Sequence, residues 1–133
     1  MGIAIKSRHT DWESVLYGQI IAAGLPAPER RVVGIIPGRK YEFDLWYKDE
    51  LVAVEIQGGI YARGKMGHHS ATGINRDCEK IVLAQLCGVL IIPVTSDHIK
   101  AGKALDWIER AMKHRTGIKK LNENLRMGVR HGL

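Results

Sequence analysis

Asp44, Glu55 and Gln57 are the residues whose types and spacing carry the clearest chemistry in this chain. They sit in two runs rich in aromatic and β-branched residues, 41–47 and 51–57, separated by Lys48-Asp49-Glu50. That pattern predicts a β-hairpin turning near Lys48 and Asp49. A tight turn there pairs Tyr47 with Glu50 and Asp44 with Ala53, because partners in an antiparallel ladder keep a constant index sum. Alternation then gives Asp44, Ala53, Glu55 and Gln57 one face, and gives Phe43, Leu45, Val52, Val54 and Ile56 the opposite, core-forming face.

Two acids on one face of an otherwise apolar hairpin need compensation, since a buried carboxylate is disfavoured and a second one nearby pushes a pKa upward. A divalent cation removes that conflict. Closely spaced Asp and Glu oxygens are hard ligands suited to Mg²⁺, which keeps several waters and also binds phosphate oxygens. Gly58-Gly59 follow the strand directly and permit a sharp turn or a close backbone approach. The competing reading is two solvated acids on a half-exposed sheet.

The surrounding elements must hold this pair in place. Thr10 as N-cap with Glu13 three residues on fits a capping box, and Trp12, Leu16, Ile20 and Ala23 continue at helical spacing to a stop at Gly24. Residues 30–36 predict a first strand closed by Pro37-Gly38, which makes a three-stranded meander with the hairpin. Its cations Arg30, Arg31, Arg39 and Lys40 form a solvated edge or a phosphate contact. Residues 60–74 have no periodicity and read as a loop over the site, where Arg63, Lys65, His68 and His69 are either phosphate contacts or solvated. Zinc binding by the two histidines would need further ligands that the spacing does not supply.

Asn75 is a good cap for a helix over 75–87, ended by Gly88, with Arg76 in its first turn and Lys80 three residues after Asp77. Lys80 and Asp77 could form a weak intrahelical pair. Cys78 and Cys87 are nine apart on that helix, too far for a disulfide, and are expected as buried free thiols of a reducing compartment. Residues 89–94 are nearly all apolar, as in a strand buried on both faces after a crossover helix. Thr95-Ser96-Asp97 then lead into an amphipathic helix through Leu105, Trp107, Ile108 and Met112. The order is helix, three strands, helix, strand, helix: an αβββαβα sandwich of the α/β class with a mixed central sheet.

Asp, ten intervening residues and then Glu-x-Gln on a hairpin resembles the PD-(D/E)XK nuclease superfamily, the restriction-endonuclease-like fold that includes archaeal-type Holliday junction resolvases. The run 41–59, followed by Asp77-Cys78-Glu79-Lys80 and the apolar 89–94, is similar to small phage-encoded nucleases of that superfamily; the likeness extends over about residues 10–112. It implies a Mg²⁺-dependent DNA endonuclease, with Mn²⁺ as a substitute, in which Asp44, Glu55, the carbonyl of Ile56 and a first-helix acid, Glu13, hold metal. Phe43 replaces the name-giving proline, a variable position. Gln57 replaces the usual lysine; Lys80 is the candidate substitute, because several branches of the superfamily carry their catalytic lysine on this helix. The resemblance further implies a homodimer acting on branched DNA such as a four-way junction. A restriction-type duplex endonuclease and a catalytically silent DNA-binding module are the other readings.

At 133 residues the chain is one domain by length, able to bury roughly two thirds of its unfolded surface. No apolar run reaches membrane-spanning length, and the first residues lack a secretory leader pattern, so the expectation is a cytoplasmic protein with no membrane partner, of a bacterial or archaeal cell or of a phage. The net charge is +6, and residues 110–133 hold seven Lys or Arg against Glu123 alone. This divides the chain into a domain over 1–115 and a basic C-terminal extension over 116–133. Leu121, Leu125 and Met127 permit a short helix there, and a flexible tail is the other expectation. Lys119 and Lys120, like Arg76, are candidate phosphate contacts.

Overall fold

The computed structural model describes residues 10–57 and 71–130, so Arg63, Lys65, His68 and His69 lie outside the described residues. Helix α1 (Trp12–Ala22) is followed by strands β1 (Glu29–Val33), β2 (Glu42–Tyr47) and β3 (Val52–Ile56). Helix α2 (Ala71–Leu86), strand β4 (Leu90–Val94), a short helix α3 (Ser96–Lys100) and helix α4 (Lys103–Arg130) complete the chain. The strands form one sheet in the order β1-β2-β3-β4, antiparallel across the first two junctions and parallel between β3 and β4. The fold is mixed α/β, a four-stranded mixed sheet flanked by helices.

Alternating apolar residues explain the two layers. Leu45, Tyr47, Val52, Val54, Ile92 and Val94 face one side, where Leu16 and Ile20 of α1, Ile99 of α3 and Ile108 and Met112 of α4 close over them. Trp46 and Ala53 face the other, packing with Ala84 of α2 and with Val89. β3 therefore has apolar neighbours on both faces and hydrogen-bonded strands on both edges, and its residues 52–55 are all buried.

Several sequence expectations change in detail. The hairpin ladder pairs Tyr47 with Val52 instead of Glu50, because the loop spans four residues and Leu51 takes a left-handed φ of 57° to close it. The shift is even, so faces are preserved, but the register now carries Asp44 alongside Glu55 instead of Ala53. Phe43 does not share a core with Leu45: it packs with Trp46 and Ala53 on the α2 side. Alternation is broken at Asp44, opposite which Arg31 of β1 takes a left-handed φ of 53°. The N-cap of α1 is Asp11, whose carboxylate accepts from the Ser14 amide, so Thr10 and Glu13 form no capping box.

Helix α2 begins at Ala71, earlier than the Asn75 cap suggested, and Cys78 on it and Cys87 just past its end are exposed free thiols and not the expected buried ones, because α2 buries only Ala84. Thr95 caps α3 in a capping box with His98, and Gly102 with φ 79° separates α3 from α4. α4 then runs 28 residues, about 42 Å at 1.5 Å per residue, straight through position 116. The basic segment is thus continuous with a docked helix; propagation from a packed first half is cheap even where residues are polar. No helix among the described residues is long and apolar enough to cross a membrane.

Ile108 is fully buried where α4 meets the sheet, whereas Leu121, on the projecting half, is 56% exposed. Ile108→Ala should cost about 3 kcal/mol in urea unfolding, while Leu121→Ala should stay within about 0.5 kcal/mol.

Candidate functional site

β2 and β3 present two carboxylates that brace each other through the backbone. The Asp44 amide donates to Glu55 Oε2 at 3.0 Å, and the Ile56 amide donates to Asp44 Oδ2 at 2.7 Å. Each acid therefore accepts a hydrogen bond from the other acid's strand. This arrangement depends on the broken alternation at Asp44: a main-chain amide that would serve a regular ladder is turned toward a side chain instead. Glu55 is 9% exposed, and Asp44 is half-buried.

Lys80 completes the cluster from α2. Its ammonium donates to Glu55 Oε1 at 2.5 Å and to the carbonyl of Glu42, and lies 4.7 Å from the centre of the Phe43 ring. The turn of helix that carries it is held over β2 and β3 by Ala84 and Val89 packing against Phe43, Trp46 and Ala53. The intrahelical pair with Asp77 is not what forms. Asp77 and Gln57 instead line a small pocket with Glu55, Lys80, Ile81, Ile91 and Pro93. The main chain of Gln57 is anchored there because its backbone N–H donates to the Val94 carbonyl at 2.7 Å.

The electrostatics follow from burial. Desolvation raises the pKa of Asp44; the Ile56 amide and Lys80 pull it down, while the charges of Glu13 and Glu42 push it up. Desolvation likewise raises Glu55, against the opposing hydrogen bond and charge of Lys80. Glu13 bears on Asp44 by its charge, but its own oxygens are taken by Arg30 Nε at 2.8 Å and Arg31 Nε at 3.3 Å. Arg30 also donates to Ser14 Oγ and stacks on Tyr17, so it is fixed on α1 instead of solvated along an edge.

Hard oxygen donors of this kind fit a Mg²⁺ ion, which needs only one or two carboxylates because it keeps waters. Both carboxylates are desolvated, a condition that a divalent cation relieves. Asp44, Glu55 and the carbonyl of Ile56 would hold the ion. Among the described residues no group of three or more His, Cys, Asp or Glu side chains gathers into a larger metal cage.

Of the proposed phosphate contacts, Arg39, Lys40 and Arg76 come together around Tyr41 and Glu79. Lys119 and Lys120 are exposed on the far half of α4. Sequence reasoning missed the Arg30 and Arg31 grip on Glu13 and the meeting of Tyr41 with Glu79. Both join residues far apart in the chain, and no local spacing signals them. No family model, curated protein or solved structure matches the chain.

Lys80→Met should leave Glu55 as a buried, unpaired carboxylate and cost about 3 kcal/mol at neutral pH. The pH dependence has a definite sign. A carboxyl raised above its ordinary value of 4.5 contributes its full stability below that value and loses it as pH rises through the raised one, and Lys80 limits that loss. The deficit of the variant should therefore be largest at pH 7–8 and shrink toward pH 4, as read by thermal unfolding across that range.

Proposed function

We propose that this chain is a metal-dependent DNA endonuclease of the restriction-endonuclease-like fold, hydrolysing phosphodiester bonds at the Asp44–Glu55 pair. The observation that carries the reading is the cross-bracing of two desolvated carboxylates by each other's strands, with a lysine from the neighbouring helix seated on one of them. That combination, acids for a hard cation and a fixed ammonium beside them, suits metal-assisted phosphodiester hydrolysis and is absent from a merely solvated sheet face.

Bound Mg²⁺, or Mn²⁺ in its place, supplies the Lewis acidity for attack on phosphorus. The chain's own residues do the rest. Asp44 and Glu55 are each held in position by a main-chain amide, which limits the rearrangement that gripping a cation would take to the Lys80 contact on Glu55. Lys80, one hydrogen bond from Glu55, places positive charge where the scissile phosphate accumulates negative charge, the duty usually given to the residue at position 57. Gln57 offers a neutral amide in the same pocket to orient water or phosphate. Glu13, clamped by Arg30 and Arg31, sets the charge felt by Asp44 from the α1 side.

The superfamily resemblance favours a structure-selective enzyme of the Holliday junction resolvase kind, acting in the cytoplasm as a homodimer that cuts two strands symmetrically. Apart from the projecting half of α4, the described elements are spent on the sheet and its two helical layers, which favours this over a restriction-type enzyme with its own base-reading region. A second reading, a silent DNA-binding module, draws support from the same ion pair: Lys80 already neutralises Glu55, and Gln57 stands in the usual lysine position.

Plasmid incubation separates these. Mg²⁺ or Mn²⁺ should support nicking that EDTA stops, and Asp44→Asn should fold normally yet lose activity by at least roughly 100-fold. Undiminished cutting by that variant would remove the assignment; DNA binding with no metal-dependent nicking would leave the silent module. Four-way junctions should be cut in preference to linear duplex of the same sequence, and equal cutting would point to the restriction-type reading.

A further inference from the structure

One residue before Lys80, a second cluster faces outward. Gly38, Arg39, Lys40, Tyr41, Arg76 and Glu79 line an open depression between the 38–41 segment and α2. Gly38 takes φ 77°, the left-handed conformation that turns the chain here, and the Arg39 amide closes the turn on the Ile36 carbonyl at 3.2 Å. Two donors then meet on a single oxygen: Arg39 Nη1 donates to Glu79 Oε1 at 3.2 Å, and the Tyr41 hydroxyl donates to the same atom. The Arg76 guanidinium lies 5.5 Å from the centre of the Tyr41 ring, and Lys40 is exposed beside it.

A guanidinium and a hydroxyl converging on one oxyanion oxygen are the donors that hold phosphate oxygens. Tyr41 is fixed for the purpose, since its side chain is buried with Phe43 and Ile36 while its hydroxyl reaches Glu79. A tyrosine hydroxyl is protonated at neutral pH and so able to donate, and the hydrogen bond to Glu79 raises its pKa further. The three cations exceed the one acid that now occupies their centre, leaving the depression attractive to a more highly charged anion. It borders the acidic pair along the chain: Glu79 directly precedes the lysine that touches Glu55, and Tyr41 leads into the strand that carries Asp44.

We infer that this depression seats a backbone phosphate of bound DNA, and that Glu79 is an internal plug displaced by that phosphate. The inference rests on the nuclease reading of the neighbouring pair and adds to it where the strand is held and what competes for the seat. Displacement makes occupancy selective. A weak monoanion gains little over the resident carboxylate, whereas a polyanion held at several points expels it.

The test is fluorescence anisotropy of labelled duplex and four-way DNA with the full chain in EDTA, where no cleavage occurs, between 50 and 200 mM salt. Glu79→Gln should tighten binding about 3-fold or more at 50 mM salt, by freeing about one cation for phosphate. Arg39→Ala should weaken binding and lower the salt slope by about 0.9, shrinking the affinity loss over that salt range about 3.5-fold. The gain from Glu79→Gln should vanish when combined with Arg39→Ala, because the cation that the plug blocks is then gone. A gain that persists in that background is general charge repulsion and overturns the proposal, as does no gain at all. Wild-type chain that binds no DNA at either salt overturns the nuclease reading as well, whereas DNA binding indifferent to Glu79 overturns the plug alone.

Discussion

Two carboxylates withdrawn from water at neighbouring positions of adjacent strands are the constraint around which this molecule is arranged. The charge of Asp44 raises the cost of ionising Glu55, and each acid is desolvated by the sheet that carries it. Three interactions offset the cost: the amide of Asp44 on Glu55, the amide of Ile56 on Asp44, and the ammonium of Lys80 on Glu55. Two of the three come from the backbone, which ties the acids to the sheet's geometry and not to a flexible partner.

The fold supplies what those interactions need. β3 lies between an antiparallel and a parallel neighbour, so the strand bearing Glu55 cannot slide without breaking both ladders. The parallel junction requires a crossover, and α2 provides it, bringing Lys80 back across the face where Glu55 points. On the other face α1, α3 and α4 close the larger core, and α1 brings Glu13 into electrostatic reach of Asp44 while Arg30 and Arg31 hold it off. Besides Leu51 in the hairpin loop, backbone strain falls in β1, which takes a left-handed residue at Arg31, opposite the position where β2 breaks alternation at Asp44.

Much of this was legible in the sequence because it rests on short-range rules. Period-two alternation located β2 and β3, the all-apolar run located β4, and the charged break between residues 47 and 51 located the hairpin. Shared parity alone put Asp44 and Glu55 on one face, and it survived an error of two in the register, because the loop proved to be four residues long and not two. What the sequence hid depends on long-range geometry. Phe43 changed cores because the strand is irregular at Asp44, and no propensity marks that irregularity. Lys80 could be read as an intrahelical partner of Asp77 or as the substitute for the lysine absent at position 57, and its contact with Glu55 depends on the crossover's placement. The helical course of residues 116–130 was masked by glycines and by a surplus of like charge, while the stabilising contacts lie in the helix's first half.

The central claim is that Asp44 and Glu55 form a prebuilt grip for one hard divalent cation. Calorimetric titration of the chain with Mn²⁺ tests it most directly, comparing wild type with Glu55→Gln after circular dichroism shows both folded. Saturable binding by the wild type that is lost in the variant is the predicted result; equal binding by the two, or none by the wild type, would contradict it.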